Sequence, residues 1–300
     1  MKDDNISDFL PLTNLTAQDF DKTIAKLDEF WKAKSIAILD KLGFHVLPGA
    51  AILAWNEKIS LKLLNYCKEN NWTSVTIRTD KAKETGENIP RGGYQVQINK
   101  LETEIKKHLR NGRIVIVHEP RDRYKNLYGI NVLYDNKIPT ELYFEVVGHG
   151  FEVSNLNRGD IQPHEKLVIR KKNDEFVILK RDIISNSEYK NSVNLRYQQI
   201  GISLMDQTVE SSMSKKNLQN YGRAFLKKHG YALLNSTYEK IPLNYIKQIS
   251  HSVIRLPYKM SKLGITIDQL VLSITVFDSE QLVYWDMVLP KHKYEGIKVD

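Results

Sequence analysis

Only one cysteine, Cys67, occurs among the 300 residues, so neither an intrachain disulfide nor a cysteine-built zinc site is available. Its neighbours Leu63, Leu64 and Tyr66 place it on a helix as a buried thiol. The sequence has no Gly-x4-Gly-Lys-Ser/Thr loop and no Gly-x-Gly-x-x-Gly turn, so the two commonest nucleotide folds lack their motifs here. Long apolar runs are missing too. The most apolar stretch, Phe44 to Trp55, is short and broken by Pro48 and Gly49, which excludes a membrane span. The opening residues Met1–Lys2–Asp3–Asp4–Asn5 lead into no apolar core like that of a secretion signal, and a cytoplasmic protein without membrane contact is expected.

What is present defines an ordinary globular chain: 41% hydrophobic and 27% charged residues, without long blocks of one sign. The formal net charge of +8 favours anionic partners, whether nucleotide phosphates, nucleic acid or an acidic protein surface.

One stretch organises the rest. Ser74–Val75–Thr76–Ile77–Arg78–Thr79–Asp80 and Tyr94–Gln95–Val96–Gln97–Ile98 read as two strands flanking a polar loop with Gly86, Gly92 and Gly93. Arg78 stands at the loop's entrance, Lys81 and Lys83 within it, and Arg91 near its exit. Glycines let backbone amides approach an anion and basic side chains neutralise it, so the loop suits a phosphate; it equally suits a solvated turn.

Helical spacing covers much of Thr16–Leu42, with Thr16 or Asp19 as caps and Gly43 as the stop. Further helices are expected around Ile59–Glu69, Ile98–Arg110, Asn217–His229 and Leu243–Leu256. Strands are expected at Arg113–Pro120, Tyr128–Tyr134, Glu141–Val147 and Glu175–Ile184. Ser185–Asn194 reads as a polar connection and Val209–Lys216 as a flexible loop. Gln269–Asp278 and Gln281–Pro290, joined by a two-residue turn Ser279–Glu280, read as a hairpin that sets Ser273 opposite Asp286.

The order of a lysine-bearing helix, Leu42–Gly43–Phe44–His45–Val46–Leu47–Pro48–Gly49, a helix, and Ser74–Val75–Thr76–Ile77–Arg78–Thr79 resembles the ATP-binding domain of the phosphoenolpyruvate synthase and pyruvate phosphate dikinase family. That domain is an ATP-grasp fold. The run Phe144–Glu145–Val146–Val147–Gly148–His149–Gly150–Phe151–Glu152, continued by Arg158–Gly159–Asp160–Ile161–Gln162–Pro163–His164–Glu165–Lys166–Leu167, follows the family's Glu-Ala-x-x-Gly-Leu-Gly-Glu and Gly-x-Val-x-Pro-Asp-x-Tyr-x-Val in order and spacing.

The resemblance implies an α+β ATP-grasp architecture: two mainly antiparallel-sheet lobes with flanking helices and a nucleotide cleft between them. Residues 1–110 would form the N-terminal lobe with the phosphate loop, 111–190 the second lobe with the adenine hinge, and 191–300 a helical segment and hairpin completing the ATP site. It further implies Arg78 and Arg91 on the transferring phosphoryl oxygens, with Gly92 and Gly93 in the loop and Lys34 or Lys32 on phosphate. Glu119 would lie near the ribose, Glu145 beside the nucleotide, Arg158, Lys166 or Arg170 near phosphates, and Asp286 on Mg2+. The family's second metal-holding carboxylate falls on Ser273 or Ile274, and its following arginine is replaced by Val288.

The implied activity is an ATP- and Mg2+-dependent, dikinase-like phosphotransferase, with the acceptor supplied by a partner protein. The alternatives are an ATP-grasp ligase activating a carboxylate and a nucleotide-binding module without turnover. Nucleic acid is a weaker reading, resting on the net charge and on Arg121, Arg123, Tyr124 and Lys125 without a recognised motif. His149 and His164 lack a third ligand at a recognisable spacing for a metal.

Overall fold

The computed structural model describes residues 8–82, 94–109, 112–204 and 213–288. Two sheets organise them, antiparallel at every described pairing. The first contains β1 (Phe9–Pro11), β2 (Gly49–Ile52), β3 (Ser74–Lys81), β4 (Tyr94–Gln97) and β5 (Arg113–His118), in the order β1-β2-β5-β3-β4. The second contains β6 (Asn126–Asp135), β7 (Glu141–Val147), β8 (Glu165–Lys172), β9 (Glu175–Ile183), β10 (Gln269–Phe277) and β11 (Leu282–Val288), in the order β11-β10-β6-β7-β8-β9. The expected class, α+β with two antiparallel sheets and flanking helices, is the one found.

The alternation of side chains along a strand decides what each sheet buries. Val75 and Ile77 of β3 pack with Val115 and Val117 of β5 beneath α3 (Glu57–Glu69) and α4 (Leu101–Leu109). Ser74, Thr76 and Arg78 therefore point to the opposite face. In the second sheet Leu270, Leu272, Ile274 and Val276 join Ile130, Val132 and Phe144 in the main core. Helices α1 (Ala17–Lys26), α2 (Trp31–Lys41), α8 (Leu243–Ile254) and α9 (Leu256–Ser261) close that core. Thr16 caps α1 by accepting from the Asp19 amide, and Gly43 follows α2 at φ +80°, a left-handed turn that suits glycine. None of the described helices is long and apolar enough to cross a membrane.

Two local expectations are corrected. Ser185–Asn194 is not a connection: Ser185 caps α6 (Asn186–Ser203), accepting from the Glu188 amide while Glu188 accepts from the Ser185 amide at 2.8 Å. This is a capping box, S-x-x-E, and the polar residues that follow it lie on the helix's solvent side. Helix α6 packs against α7 (Lys215–Lys228) with backbones nearly touching, since a Cβ on Gly222 would lie 2.2 Å from the Tyr197 carbonyl oxygen. The helix expected from Asn217 thus begins at Lys215, capped by Ser214. Residues 209–212 of the expected loop lie outside the described residues.

The second correction concerns the final hairpin. Its turn has three residues, Asp278–Ser279–Glu280, with the Phe277 amide donating to the Gln281 carbonyl and Glu280 at φ +61°. The extra residue offsets the register by one, so that Ile274 faces Tyr284. Trp285 is then bulged, and Ser273 faces Asp286 after all.

A polar row crosses the second sheet at this level. Asp286, Ser273, Asn131, Glu145, Lys166 and Asp182 are successive cross-strand partners from β11 through β9 and share one face. The next row, two residues along, is apolar: Val288, Val271, Leu133, Tyr143 and Val168.

The chain passes from the first sheet to the second between His118 and Asn126. Strand β5 belongs to the first sheet, so this crossing comes later than the lobe boundary at residue 110 expected from the sequence.

Candidate functional site

A cleft of about 920 Å³ lies between the two sheets and against α5 (Val153–Asn157), α6 and α7. One wall is the outward face of β3 and β4, with Ser74, Thr76, Arg78 and Gln95; Tyr94 borders it from the sheet edge, its hydroxyl donating to Glu104 of α4 on the other face. The facing wall is the cleft side of β10 and β11: Val271, Ser273, Thr275, Phe277, Trp285, Asp286 and Val288. The bulge at Trp285 brings two consecutive residues, Trp285 and Asp286, onto this wall together.

Arg78 bridges the walls. Its Nη1 donates to the Trp285 carbonyl at 3.0 Å, its Nη2 pairs with Asp286 Oδ2, and its guanidinium lies 5.7 Å from the Trp285 ring centroid. A bulged residue's carbonyl is released from the ladder, which leaves it available to the arginine. The Trp285 ring is itself fixed by an indole N–H donated to Thr275 Oγ1 at 2.7 Å.

Helix α2 ties the two sheets at the base of the cleft. The Ala33 amide donates to Asp80 Oδ2 on β3, and the Trp31 indole N–H donates to the Met287 carbonyl on β11. Burial pushes the Asp80 carboxyl up, against the amide bonds from Ala33 and the nearby Lys32 charge. Lys32 borders the cleft, buried, its Nζ donating to the Thr79 carbonyl at 3.0 Å. Lys34 is not in this wall; it pairs with Asp28 at 2.7 Å.

The segment between the sheets forms the cleft's third side. Pro120, Arg121, Asp122, Arg123 and Tyr124 line it, so three of the four residues singled out for nucleic acid are in the cleft, while Lys125 faces Asp278. Tyr124 packs against Phe225 of α7 and against Tyr231. Burial opposes the charge of Glu152, yet Arg196 and Arg123 hold its carboxyl below the usual range. Glu119, expected beside a ribose, does not line the cleft; its amide donates to the Pro48 carbonyl and its carboxylate faces Arg121 at 3.4 Å. The sequence offered no sign of Trp285, Glu152, Phe225 or Tyr231 beyond their types, because each reaches the cleft through a bulge, a short helix or a distant helix.

Three neutral side chains close a ring on the sheet wall. Asn131 Nδ2 donates to Asn157 Oδ1 at 2.7 Å, Asn157 Nδ2 donates to Ser273 Oγ at 3.0 Å, and Ser273 Oγ donates to Asn131 Oδ1 at 3.1 Å. Glu145, the next residue in the polar row, is buried beyond the cleft lining, and burial raises its carboxyl to about 7 against the opposing Lys166 charge. Arg158 pairs with Asp160 and Arg170 with Glu141, both away from the cleft lining. His164 is buried among Phe151, Tyr189 and Tyr238, its Nδ1 accepting from the Gly148 amide. Arg91, Gly92 and Gly93, with Lys83 and Gly86, lie outside the described residues.

Magnesium, implied by the resemblance, takes hard oxygen donors, carboxylates above all. Among the described residues no group of three or more His, Cys, Asp and Glu side chains is gathered to hold a metal. Asp286 is the one carboxylate on the β10–β11 wall, and Arg78 holds it. Of the two positions where the resemblance expects a glutamate, Ser273 is bound into the amide ring and Ile274 is buried in the main core. Among the described residues, the β10–β11 wall does not fit a divalent cation.

The molecule is thus a two-sheet α+β protein with a cleft between the sheets lined by paired charges and aromatic rings. No protein-family model matches the sequence, and no curated protein is similar to it in sequence. Among solved structures it is similar to D-alanyl-alanine synthetase A from Vibrio cholerae O1 biovar eltor at TM-score 0.41 and 9% identity, covering 89% of this chain and 56% of that one. It is similar to D-alanine–D-alanine ligase from Bacillus anthracis complexed with ATP at TM-score 0.39 and 8% identity, over 86% of this chain and 54% of that one. The N5-carboxyaminoimidazole synthetase from Staphylococcus aureus gives TM-score 0.35 and 9% identity, over 93% and 52%. The chain spans little more than half the length of each.

Proposed function

We propose that the cleft is a nucleotide site of ATP-grasp type and that the chain uses ATP to activate a carboxylate for ligation. The observation that carries the reading is Arg78 of the first sheet, set at the junction with the second in a cleft whose lining combines cations with aromatic rings. An arginine fork matches phosphate oxygens, and aromatic faces such as Tyr124 and Phe225 suit a purine. Phosphoryl chemistry asks a protein mainly for positioning and charge stabilisation, which this arrangement supplies without a nucleophile of its own.

The ligase reading is favoured over dikinase-like transfer by the extent of the cleft. At about 920 Å³ it is at the upper end of small-molecule pockets, so a nucleotide and a second small substrate fit within one chain. Dikinase chemistry asks instead for an acceptor carried by a partner protein. A second reading, nucleotide binding without turnover, is favoured by the donor set around Asp286, which lacks the carboxylates that hold a catalytic metal.

Mass spectrometry of nucleotide products separates these readings. ADP with phosphate, formed only when a carboxylate and an amine are both supplied, supports ligation; AMP with phosphate supports dikinase chemistry. Saturable ATP binding without product under every acceptor supports the binding module. Absence of ATP binding overturns all three.

A further inference from the structure

We infer that Asp286 does not hold a divalent cation and that the cleft takes its nucleotide as a metal-free polyanion, with Arg78 supplying the positive charge. Asp286 is then an internal stand-in for the ligand's phosphate, displaced when the polyanion arrives. The inference rests on the nucleotide reading above.

The geometry of the polar row carries it. Adjacent strands lie about 4.8 Å apart, so Glu145, three strands from Asp286, is about 14 Å away, far beyond any shared coordination sphere. The positions between them are Ser273 and Asn131. Their oxygens are engaged in the closed ring with Asn157, in which each side chain donates once and accepts once. Such a ring offers a cation no charge.

Arg78 meanwhile is held in place from three sides: by the Trp285 carbonyl, the Trp285 ring and Asp286. The side chains of Arg78 and Asp286 are each only 11% exposed, so solvent screens the pair little. A dication at Asp286 would lie beside this fixed guanidinium and be repelled by it. A polyanion meets the reverse situation. Carboxylate and phosphate oxygens suit the same guanidinium fork, and a triphosphate brings more charge to it than one carboxylate does. Lys32, Arg121 and Arg123 border the same cleft, and the last two also face carboxylates, Glu119 and Glu152. The pattern is one of cations already matched by internal acids.

The test is calorimetric titration of the full chain with ATP, once in excess EDTA and once in excess Mg2+, repeated with Asp286→Asn. The expected result is a Kd that differs by less than about threefold between EDTA and Mg2+, and binding tightened about tenfold in D286N, which frees the guanidinium while keeping the side chain's shape. A Kd weakened about tenfold or more in EDTA overturns the inference and leaves the nucleotide reading standing. The wild-type comparison decides this even where the variant fails to fold. No ATP binding in either condition removes the nucleotide reading and this inference with it.

Discussion

Ser273 and Asp286 face each other across β10 and β11 because the bulge at Trp285 compensates for the third residue of the turn. The bulge sets the backbone carbonyl of Trp285 and the carboxylate of Asp286 side by side, and Arg78 from the other sheet closes on both. A local irregularity in one hairpin thereby joins the two sheets at the cleft.

Arg78→Ala leaves the Asp286 carboxylate buried without its partner. A loss of about 3–5 kcal/mol in unfolding free energy is expected, as for other buried pairs broken on one side. The double variant Arg78→Ala with Asp286→Ala should lose less than the sum of the single changes. Urea denaturation of the four proteins measures the coupling; strict additivity would contradict a direct pairing.

Glu145 sets a pH dependence. Its carboxyl is raised to about 7 from 4.5 by burial, so the folded state holds a proton that the unfolded state releases between those values. Its contribution is complete below about pH 4.5 and is lost as pH rises through 7, by about 3 kcal/mol in all. Glu145→Gln should remove this slope and be the more stable protein at pH 8. An unchanged stability difference between Glu145→Gln and wild type from pH 5 to pH 8 would refute the assignment.

His164 acts with the opposite sign. Burial holds its imidazole down to about 3 from 6.5, so the unfolded chain takes up a proton the folded protein refuses. Its contribution is present above about pH 6.5 and lost as pH falls toward 3, amounting to about 3–5 kcal/mol across the window. NMR titration of the ring should show a neutral His164 at pH 5 with its proton on Nε2, because Nδ1 accepts from the Gly148 amide at 3.1 Å.

Gly222→Ala should destabilise although alanine is the better helix former. The added methyl would stand 2.2 Å from the Tyr197 carbonyl oxygen and 3.2 Å from the Gly201 amide, backbone atoms that cannot rotate away. Separating α6 from α7 is expected to cost about 1–3 kcal/mol, exceeding the roughly 1 kcal/mol gained in propensity. Thermal unfolding reads the balance directly. Because Phe225 of α7 and Leu204 beyond α6 line the cleft, ligand affinity should fall as well.

Arg78 was legible as a cleft residue from its place on an alternating strand, and Asp286 from the resemblance together with the hairpin that sets it opposite Ser273. Lys34 was not distinguishable from Lys32: two positions apart on a helix, they point to different faces, and only the packing of α2 against β3 selects Lys32. Glu119 and Glu145 carry the residue type a nucleotide site uses, but a carboxylate at a strand end or mid-strand does not reveal which neighbour covers it. The start of α6 was written in Ser185 and Glu188, yet the polar run behind it masked a helix whose buried side is only a few residues wide.

Side-chain alternation and capping residues by themselves determined most strand and helix positions, because these depend on neighbours in the chain; the α+β class followed from the resemblance, and the Ser273–Asp286 pairing needed the bulge at Trp285 as well as the turn. The crossing from sheet to sheet after His118, the closure of Arg78 on Asp286 and the ring of Asn131, Asn157 and Ser273 were decided only by the tertiary structure. The last two join residues 26 to 208 positions apart, and at that separation no local preference fixes which partner is met; the packing of two sheets around α2 does.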